Sequence, residues 1–415
     1  MSDRKPSVLF VEQFYYPDGW GGAELPRDLS THLVDRGYEV EVICGSEQYV
    51  PVDGSSGADP ALQGVRIRRV PRLLGGDIHR FKILRQAWFC AALLPLLCFR
   101  RRPSMFVSQT NPPLAVPLVA AAAMLLRRPY LLIAMDVYPE VLEVHGAIRP
   151  RGVASRLLGV VFRHAYRGAR RVVALGPVMR ERLIAKGVAS DRVVEISNWS
   201  TGAEGVMRGA RNALRTQWGL EGKFVLVYSG NLGVGHEFET LIQGFARALE
   251  QVATARLVII GGGGRLAEVQ RLTHSLGLDA VVRYSGFVPA DRMPESMGLA
   301  DLAIVTLRPG FEGLIVPSKL LGYMSRGIPT LYIGPRSDVD HFLARYHCGI
   351  ALRNGDVDAV RDAIVMAARD PAGLEVMGNA GSVGYHADLS REVALARYEA
   401  VVADCLAEPA RDVLT

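Results

Sequence analysis

The apolar positions of the first half fall in short, largely β-branched runs: Val8–Glu12, Glu39–Cys44, Val65–Val70, Met105–Gln109 and Tyr130–Met135. Between them lie longer stretches with helical character, from about Ala23, over Phe81–Phe99 and over Leu114–Leu126. Continuous apolar strands separated by helices predict a parallel sheet buried on both faces. Val172–Leu175, a helix over Pro177–Lys186 closed by Gly187, and Val193–Ile196 continue the rhythm. It lapses between Asn198 and Gly222 into a polar, glycine-containing segment, and then restarts. Phe224–Ser229, a helix to about Leu249, Arg256–Ile260, a helix from Arg265, Val281–Tyr284, Leu302–Thr306, a helix from Ser318 and Thr330–Ile333 follow. From Pro371 to about Ala407 the pattern is helical only. The expectation is an α/β protein of two Rossmann-like domains facing each other across a cleft. Residues 1–200 form the first, 201–222 a linker, 223–385 the second, and 386–415 a C-terminal helix that packs back toward the first domain.

A chain of 415 residues exceeds what one ordinary core organises and suits two domains of roughly 200 residues each. With 49% hydrophobic and 22% charged residues it has a globular composition, which excludes a disordered or fibrous chain. The formal charge of +6 and pI of about 9.1 suit an anionic ligand or a lipid surface and do not point to nucleic acid. Arginines cluster at Arg100–Arg102, Arg127–Arg128 and Arg170–Arg171, each beside an apolar run, where they either meet anionic headgroups or simply solvate helix ends. Five cysteines without C-x-x-C spacing suggest neither a disulfide framework nor a zinc site. The N-terminus passes from a short polar lead into a strand, without a signal-peptide core, so a cytoplasmic location is expected. Ala87–Phe99 and Leu114–Leu126 have 13 residues each, whereas a spanning helix needs roughly 18. The first, flanked by Lys82, Arg85 and Arg100–Arg102 and carrying Trp88 and Phe89, suits a helix lying in a membrane interface. The alternative is a buried crossover helix.

Ligands of open α/β sheets bind beyond the carboxyl ends of the strands, so the loops there are the places to look for chemistry. The strand ending at Ser229 runs into Gly230-Asn231-Leu232-Gly233-Val234-Gly235 and a helix opened by His236-Glu237. Glycines there admit a phosphate close to the backbone and a helix N-terminus, although His236 and Glu237 could equally be helix caps. Gly261–Gly264 ends in Arg265, a fixed cation for a diphosphate. Gly286-Phe287-Val288-Pro289 could present backbone groups to a base. The richest loop carries Arg308, Glu312, Gly313 and Leu314, and Pro317-Ser318 then opens a helix with Lys319 in its first turn. A cation beside a helix N-terminus opposes the dipole, which makes sense if an anion sits between them. None of these loops matches a P-loop, and the first strand lacks the dinucleotide fingerprint, which counts against an ATPase or a dehydrogenase. No D-x-D follows a strand, so no metal is expected.

These segments, in this order, resemble family 4 glycosyltransferases of the GT-B fold, most closely the bacterial O-antigen and colanic-acid type. In the first half the resemblance includes Tyr16-Pro17 with Gly21, Gly22, Ala23 and Glu24, then Thr110-Asn111-Pro112-Pro113, then Met135-Asp136-Val137-Tyr138-Pro139-Glu140. It implies a nucleotide-sugar donor held by the second domain, an acceptor held by the first, retention of anomeric configuration, and neither metal nor cofactor. Arg265 and Lys319 then match cations that neutralise the leaving diphosphate, and Gly233 closes on the phosphates. Glu312 matches the first acid of an E-x7-E motif, and Lys319 stands about where the second would be. Many members have histidine before the aspartate of the Met135-Asp136 pair; here Asp136 is the remaining polar candidate, with Glu140 a helical turn on. Acceptor contacts are expected at Tyr16, Gly21, Gly22, Glu24, Asn111, Asp136 and Glu140. Donor contacts are expected at Gly230, Asn231, Gly233, His236, Glu237, Gly263, Arg265 and Gly286–Val288. Others are expected at Arg308, Glu312–Leu314 and Pro317–Lys319, with catalysis by Asp136, Arg265, Glu312 and Lys319. The function so implied is transfer from a UDP-sugar to a polyprenyl-diphosphate-linked saccharide at the inner face of a membrane. A soluble acceptor and a nucleotide-sugar 2-epimerase of the same fold are the alternatives.

Overall fold

The computed structural model of the chain describes residues 5–16, 23–45, 62, 64–71, 82–98, 103–200, 212–288 and 292–407. Two compact units emerge, Met1–Ser197 with Ala394–Thr415, and Asn198–Val393. The first begins β1 (Ser7–Val11), α1 (Glu24–Asp35), β2 (Glu39–Gly45), β3 (Val65–Val70), α2 (Lys82–Cys98), β4 (Met105–Gln109), α3 (Ala115–Leu126) and β5 (Tyr130–Ala134). It continues with α4 (Glu140–Val144), α5 (Val153–Gly168), β6 (Arg171–Ala174), α6 (Pro177–Ala185) and β7 (Val193–Glu195). Its parallel sheet has the order β3-β2-β1-β4-β5-β6-β7. β4 and β5 are buried at every residue, which is why β5 reads as an unbroken apolar run.

The second unit contains α7 (Ala213–Gln217), β8 (Phe224–Ser229), α8 (Glu239–Ala248), β9 (Ala255–Ile260), α9 (Leu266–Ser275), β10 (Val282–Tyr284), α10 (Met293–Met297) and β11 (Leu302–Thr306). Then come α11 (Lys319–Ser325), β12 (Thr330–Ile333), α12 (Asp338–Tyr346), β13 (Gly349–Leu352), α13 (Val357–Arg369) and α14 (Pro371–Gly384). Its sheet, again parallel, has the order β10-β9-β8-β11-β12-β13. Leu241, Ile242 and Phe245 of α8 and Val360 and Ile364 of α13 are buried in one core with Leu226, Leu257 and Ile304 of the strands, and each such side chain stabilises the unit by about 1.5–3 kcal/mol. Asp356 and Asp370 cap α13 and α14 by accepting from the backbone N–H groups of Ala359 and Gly373.

Two expectations change. The segment read as a linker is folded into the second unit from Asn212 onward: Asn212 caps α7 and donates to Glu295 O at 2.7 Å, and Arg215 pairs with Asp301 at 2.7 Å. Residues 201–211 lie outside the described ones. The helical C-terminal stretch is broken by a π-turn at Tyr385–Leu389 and an extended Ser390. α15 (Arg391–Ala407) follows it. From Ala394 on α15 belongs to the first unit, with Glu399 against His32 and Arg36 at 2.9 and 3.1 Å and Asp404 against Arg171 at 2.5 Å. α2 has one buried face and an opposite face on which Leu84 and Leu94 are exposed. Phe89, Cys90, Leu93 and Leu97 are buried, and half-buried Trp88 donates its indole N–H to Pro71 O at 2.9 Å. The flanking Arg100–Arg102 lie outside the described residues.

Candidate functional site

The second sheet changes direction between β8 and β11, the crevice where an open α/β sheet holds its ligand. Backbone hydrogen bonds gather three glycine loops on one side of it. Gly230 N donates to Ile260 O at 2.8 Å, Leu232 N to Gly262 O at 2.8 Å, and Gly261 N to Gly286 O at 2.7 Å. The loops after β8, β9 and β10 therefore form a single floor. Gly230 and Gly263 have φ of +128° and +143°, values reserved for glycine. A Cβ on Gly230 would come within 2.4 Å of Lys319 Cε, and one on Gly263 within 2.4 Å of Asn231 Oδ1.

Lys319, from the far side of the crevice, reaches across to this floor. Its Nζ donates to Tyr228 Oη at 2.7 Å and to Asn231 O at 3.3 Å, and lies 3.2 Å from His236 Nε2. Tyr228 Oη in turn donates to Asn231 O at 2.8 Å. His236 Nδ1 lies 2.8 Å from Thr306 O, so its proton sits there and Nε2 is left to accept from the lysine. Burial, followed by the Lys319 charge, lowers the His236 pKa to about 3, so the ring is neutral. Burial also lowers the Lys319 ammonium to about 7. A half-buried lysine at a strand crossover, held by neutral dipoles and, among the described residues, by no carboxylate, is ready to gain from an incoming anion.

The other candidates divide. Arg265 is bound by Glu239 at 2.5 Å and Glu268 at 2.6 Å and also donates to His236 O, so its charge is already balanced. Lys319, by contrast, has no carboxylate partner among the described residues. Glu237 is a cap: Oε1 accepts from Thr240 N at 2.7 Å and Thr240 Oγ1 at 3.0 Å, and Oε2 lies 3.4 Å from Asn354 Nδ2. Its oxygens are turned onto the fold. Glu312 Oε2 accepts from Gly310 N at 2.7 Å and shapes the loop after β11. Arg308 and Ser318 are exposed there, Pro317 is half-buried, and Gly313 and Leu314 are buried. Phe287 is 72% exposed, with its ring over Gly262, whose added Cβ would meet Phe287 Cε2 at 2.9 Å. Val288 beside it is half-buried, and Pro289 lies outside the described residues.

In the first unit the sheet reverses between β1 and β4. Asp136 follows β5, with its N–H donating to Thr110 Oγ1 at 3.0 Å and Oδ2 3.5 Å from Tyr138 Oη. Asn111 precedes α3 across a cis bond to Pro112. Glu140 is engaged by Lys186 at 2.5 and 2.6 Å. Half-buried Tyr16 accepts at its carbonyl from Arg69, and half-buried Glu24 opens α1. Gly21 and Gly22 lie outside the described residues. Sequence reasoning overlooked Tyr228 and Thr306 of the lysine cluster. It also overlooked Glu12, a buried carboxyl at the end of β1 whose pKa burial raises well above the usual range and which accepts from Gln109 N at 3.3 Å. An acid closing an otherwise apolar strand was the available signal.

Residues 21–199 match the family model described as a glycosyl transferase 4-like domain. Residues 210–382 match that of glycosyl transferases group 1. The chain belongs to the family 4 glycosyltransferases. Among relatives in this family, a probable glycosyltransferase of Pseudomonas aeruginosa, WbjE, is 32% identical over 238 residues, 56% of this chain and 58% of the relative. WcaI of Escherichia coli, provisionally named a colanic acid biosynthesis glycosyl transferase, is 28% identical over 182 residues, 42% of this chain and 43% of the relative. These matches span about half the length of those relatives. Among solved structures, Anabaena HepE in complex with UDP superposes with a TM-score of 0.70 at 16% identity over 96% of this chain and 100% of HepE, which shows the GT-B fold.

Proposed function

We propose that the chain is a retaining glycosyltransferase that moves a sugar from a nucleotide-diphosphate donor, most simply a UDP-sugar, to a polyprenyl-diphosphate-linked saccharide. This would occur on the cytoplasmic face of a membrane during bacterial surface-polysaccharide assembly. The observation that carries the reading is Lys319. Its ammonium spans the β8/β11 crevice beside the glycine floor, where a diphosphate would meet backbone N–H groups and this cation together. Exposed Phe287 and the backbone of Gly286–Val288 supply a surface for the base, and HepE was solved with UDP. In the reaction the bond from the anomeric carbon to the β-phosphate oxygen breaks with its electron pair on that oxygen, and Lys319 stabilises the charge that develops. An acceptor hydroxyl oxygen bonds to the same face of the anomeric carbon, and its proton passes to the departing phosphate oxygen. Asp136 is assigned to hold the transferred sugar or the acceptor hydroxyl. Among the described residues no group of three His, Cys, Asp or Glu side chains could hold a metal ion, and the lysine takes over a task often left to a divalent cation. The lipid-linked acceptor rests on the family resemblance. Among the described residues no helix is long and apolar enough to cross a membrane, so attachment would be peripheral.

A thermal-shift panel of UDP, GDP, TDP and their sugars tests the donor. The cognate nucleotide at about 100 times its dissociation constant stabilises by about 2.7 kcal/mol, and the others shift less. No stabilisation by any member would overturn the donor assignment. Activity lost in EDTA and restored by Mg²⁺ or Mn²⁺ would overturn the metal-independent mechanism.

A further inference from the structure

α3 and α5 lie side by side on the first unit, and both turn apolar side chains outward. On α5, Val153, Leu157 and Val160 are 84%, 65% and 52% exposed. Their i, i+4, i+7 spacing makes one stripe, about opposite the face buried through Phe162, Ala165 and Tyr166. On α3, Leu114, Met124 and Leu125 are exposed, and the half-buried Leu118 continues their stripe. A surface helix normally puts polar residues there, and neighbouring exposed stripes of this kind mark an interaction face. Exposed Arg156, Arg163 and Arg167 run along one side of the α5 stripe, and exposed Arg127 and Arg128 close α3. From His145 to Arg180 the chain has eight arginines and no aspartate or glutamate. Glu143 of α4, an acid that does reach α5, accepts from Arg151 N at 3.3 Å and from Ser155 Oγ.

We infer that the α3/α5 face is the membrane-docking surface, with the valines and leucines entering the interface of an anionic bilayer and the arginines pairing with lipid phosphates. Apolar stripe and acid-free arginine border together fit such a surface on both counts. A second copy of the chain is the poorer occupant, because the arginines would bring like charges to a shared interface without acids to meet them. The surface adjoins α2, which buries Phe89, Leu93 and Leu97 and exposes Leu84 and Leu94. It refines the peripheral attachment proposed above but does not depend on the donor or the acceptor.

The test is sedimentation of the full chain with vesicles of equal parts phosphatidylglycerol and phosphatidylcholine, and of phosphatidylcholine alone. Two triple variants are compared with the parent: Val153→Ser/Leu157→Ser/Val160→Ser and Arg156→Gln/Arg163→Gln/Arg167→Gln. Val376→Ser/Val383→Ser, which changes exposed valines of the second unit, serves as control. The parent and control should bind the anionic vesicles and bind pure phosphatidylcholine much less. The serine variant should lose binding, and the glutamine variant should weaken about fivefold per arginine removed. Nucleotide-induced thermal shifts should be the same in all four proteins, showing that the fold and the donor site are intact whichever way the vesicle result falls. Undiminished vesicle binding by both triple variants would overturn the inference. So would a parent dimer in size-exclusion chromatography that the serine variant abolishes while neither binds vesicles.

Discussion

Replacing Lys319 by methionine keeps most of the side chain's bulk beside Gly230 and deletes only the ammonium bound to Tyr228 and Asn231. A charge-assisted contact to a diphosphate contributes about 1.5–3 kcal/mol, so Lys319→Met should weaken nucleotide-sugar binding by about ten- to a hundredfold at pH 6. The same interaction predicts a pH dependence. The free protein's lysine, lowered by burial to about 7, must be protonated to meet the anion, so affinity should fall by up to about tenfold per pH unit above 7. Because the contact raises the bound pKa by the same factor, the fall should level off about one to two units higher, at the affinity of the variant. The stability effect has the opposite sense. A lysine pKa lowered by folding means that the unfolded chain binds the extra proton between about 7 and the ordinary value near 10.4, so unliganded stability rises with pH across that window. That rise should be missing in Lys319→Met, whose melting temperature at pH 7 should be no lower than the parent's. Isothermal titration with a UDP-sugar between pH 6 and 9 is the assay, since its diphosphate diester does not titrate there. Equal affinities for parent and variant at pH 6, or a parent affinity flat to pH 9, would refute the reasoning.

Tyr228→Phe removes one acceptor of the ammonium and one donor to Asn231 O; binding should weaken about fivefold, the worth of a net hydrogen bond near 1 kcal/mol, and the pH midpoint of binding should move. An unmoved midpoint would make Tyr228 a packing residue only. Asp136→Asn should lower kcat while leaving nucleotide affinity unchanged, because a contact made mainly in the transition state appears in turnover; a loss confined to nucleotide binding would contradict its assignment. Leu93→Ala, at a fully buried α2 position, should cost about 2–5 kcal/mol, read as a lower denaturant midpoint, and an unchanged midpoint would contradict its place in the core.

Much of the architecture was legible because strands of a parallel sheet buried on both faces are largely apolar; β1, β5, β8 and β11 show as such runs. α5 was not. It starts after an extended Gly152 with no side-chain cap, and its exposed valines and leucine put apolar residues on the solvent side, blurring the period that marks a helix. For α2 the composition was readable but not which of its apolar side chains pack inward, which only packing against the unit decides. At the site, Lys319 stood out because a cation at a helix start needs a reason. Its partners Tyr228 and His236 lie more than 80 positions earlier in the chain, a relation that strand pairing creates and spacing cannot show. The pairing of Arg265 with Glu239, on a different helix, was hidden for the same reason.

The most direct test of the central claim is a transfer assay with a radiolabelled UDP-sugar and a polyprenyl-diphosphate-linked saccharide, followed by solvent partition and NMR of the product. The account predicts label in the lipid-extractable saccharide, joined with the donor's anomeric configuration, and release of UDP in equal amount. Label recovered only as free sugar or as an epimerised nucleotide-sugar, with the lipid-linked saccharide unchanged, would contradict it.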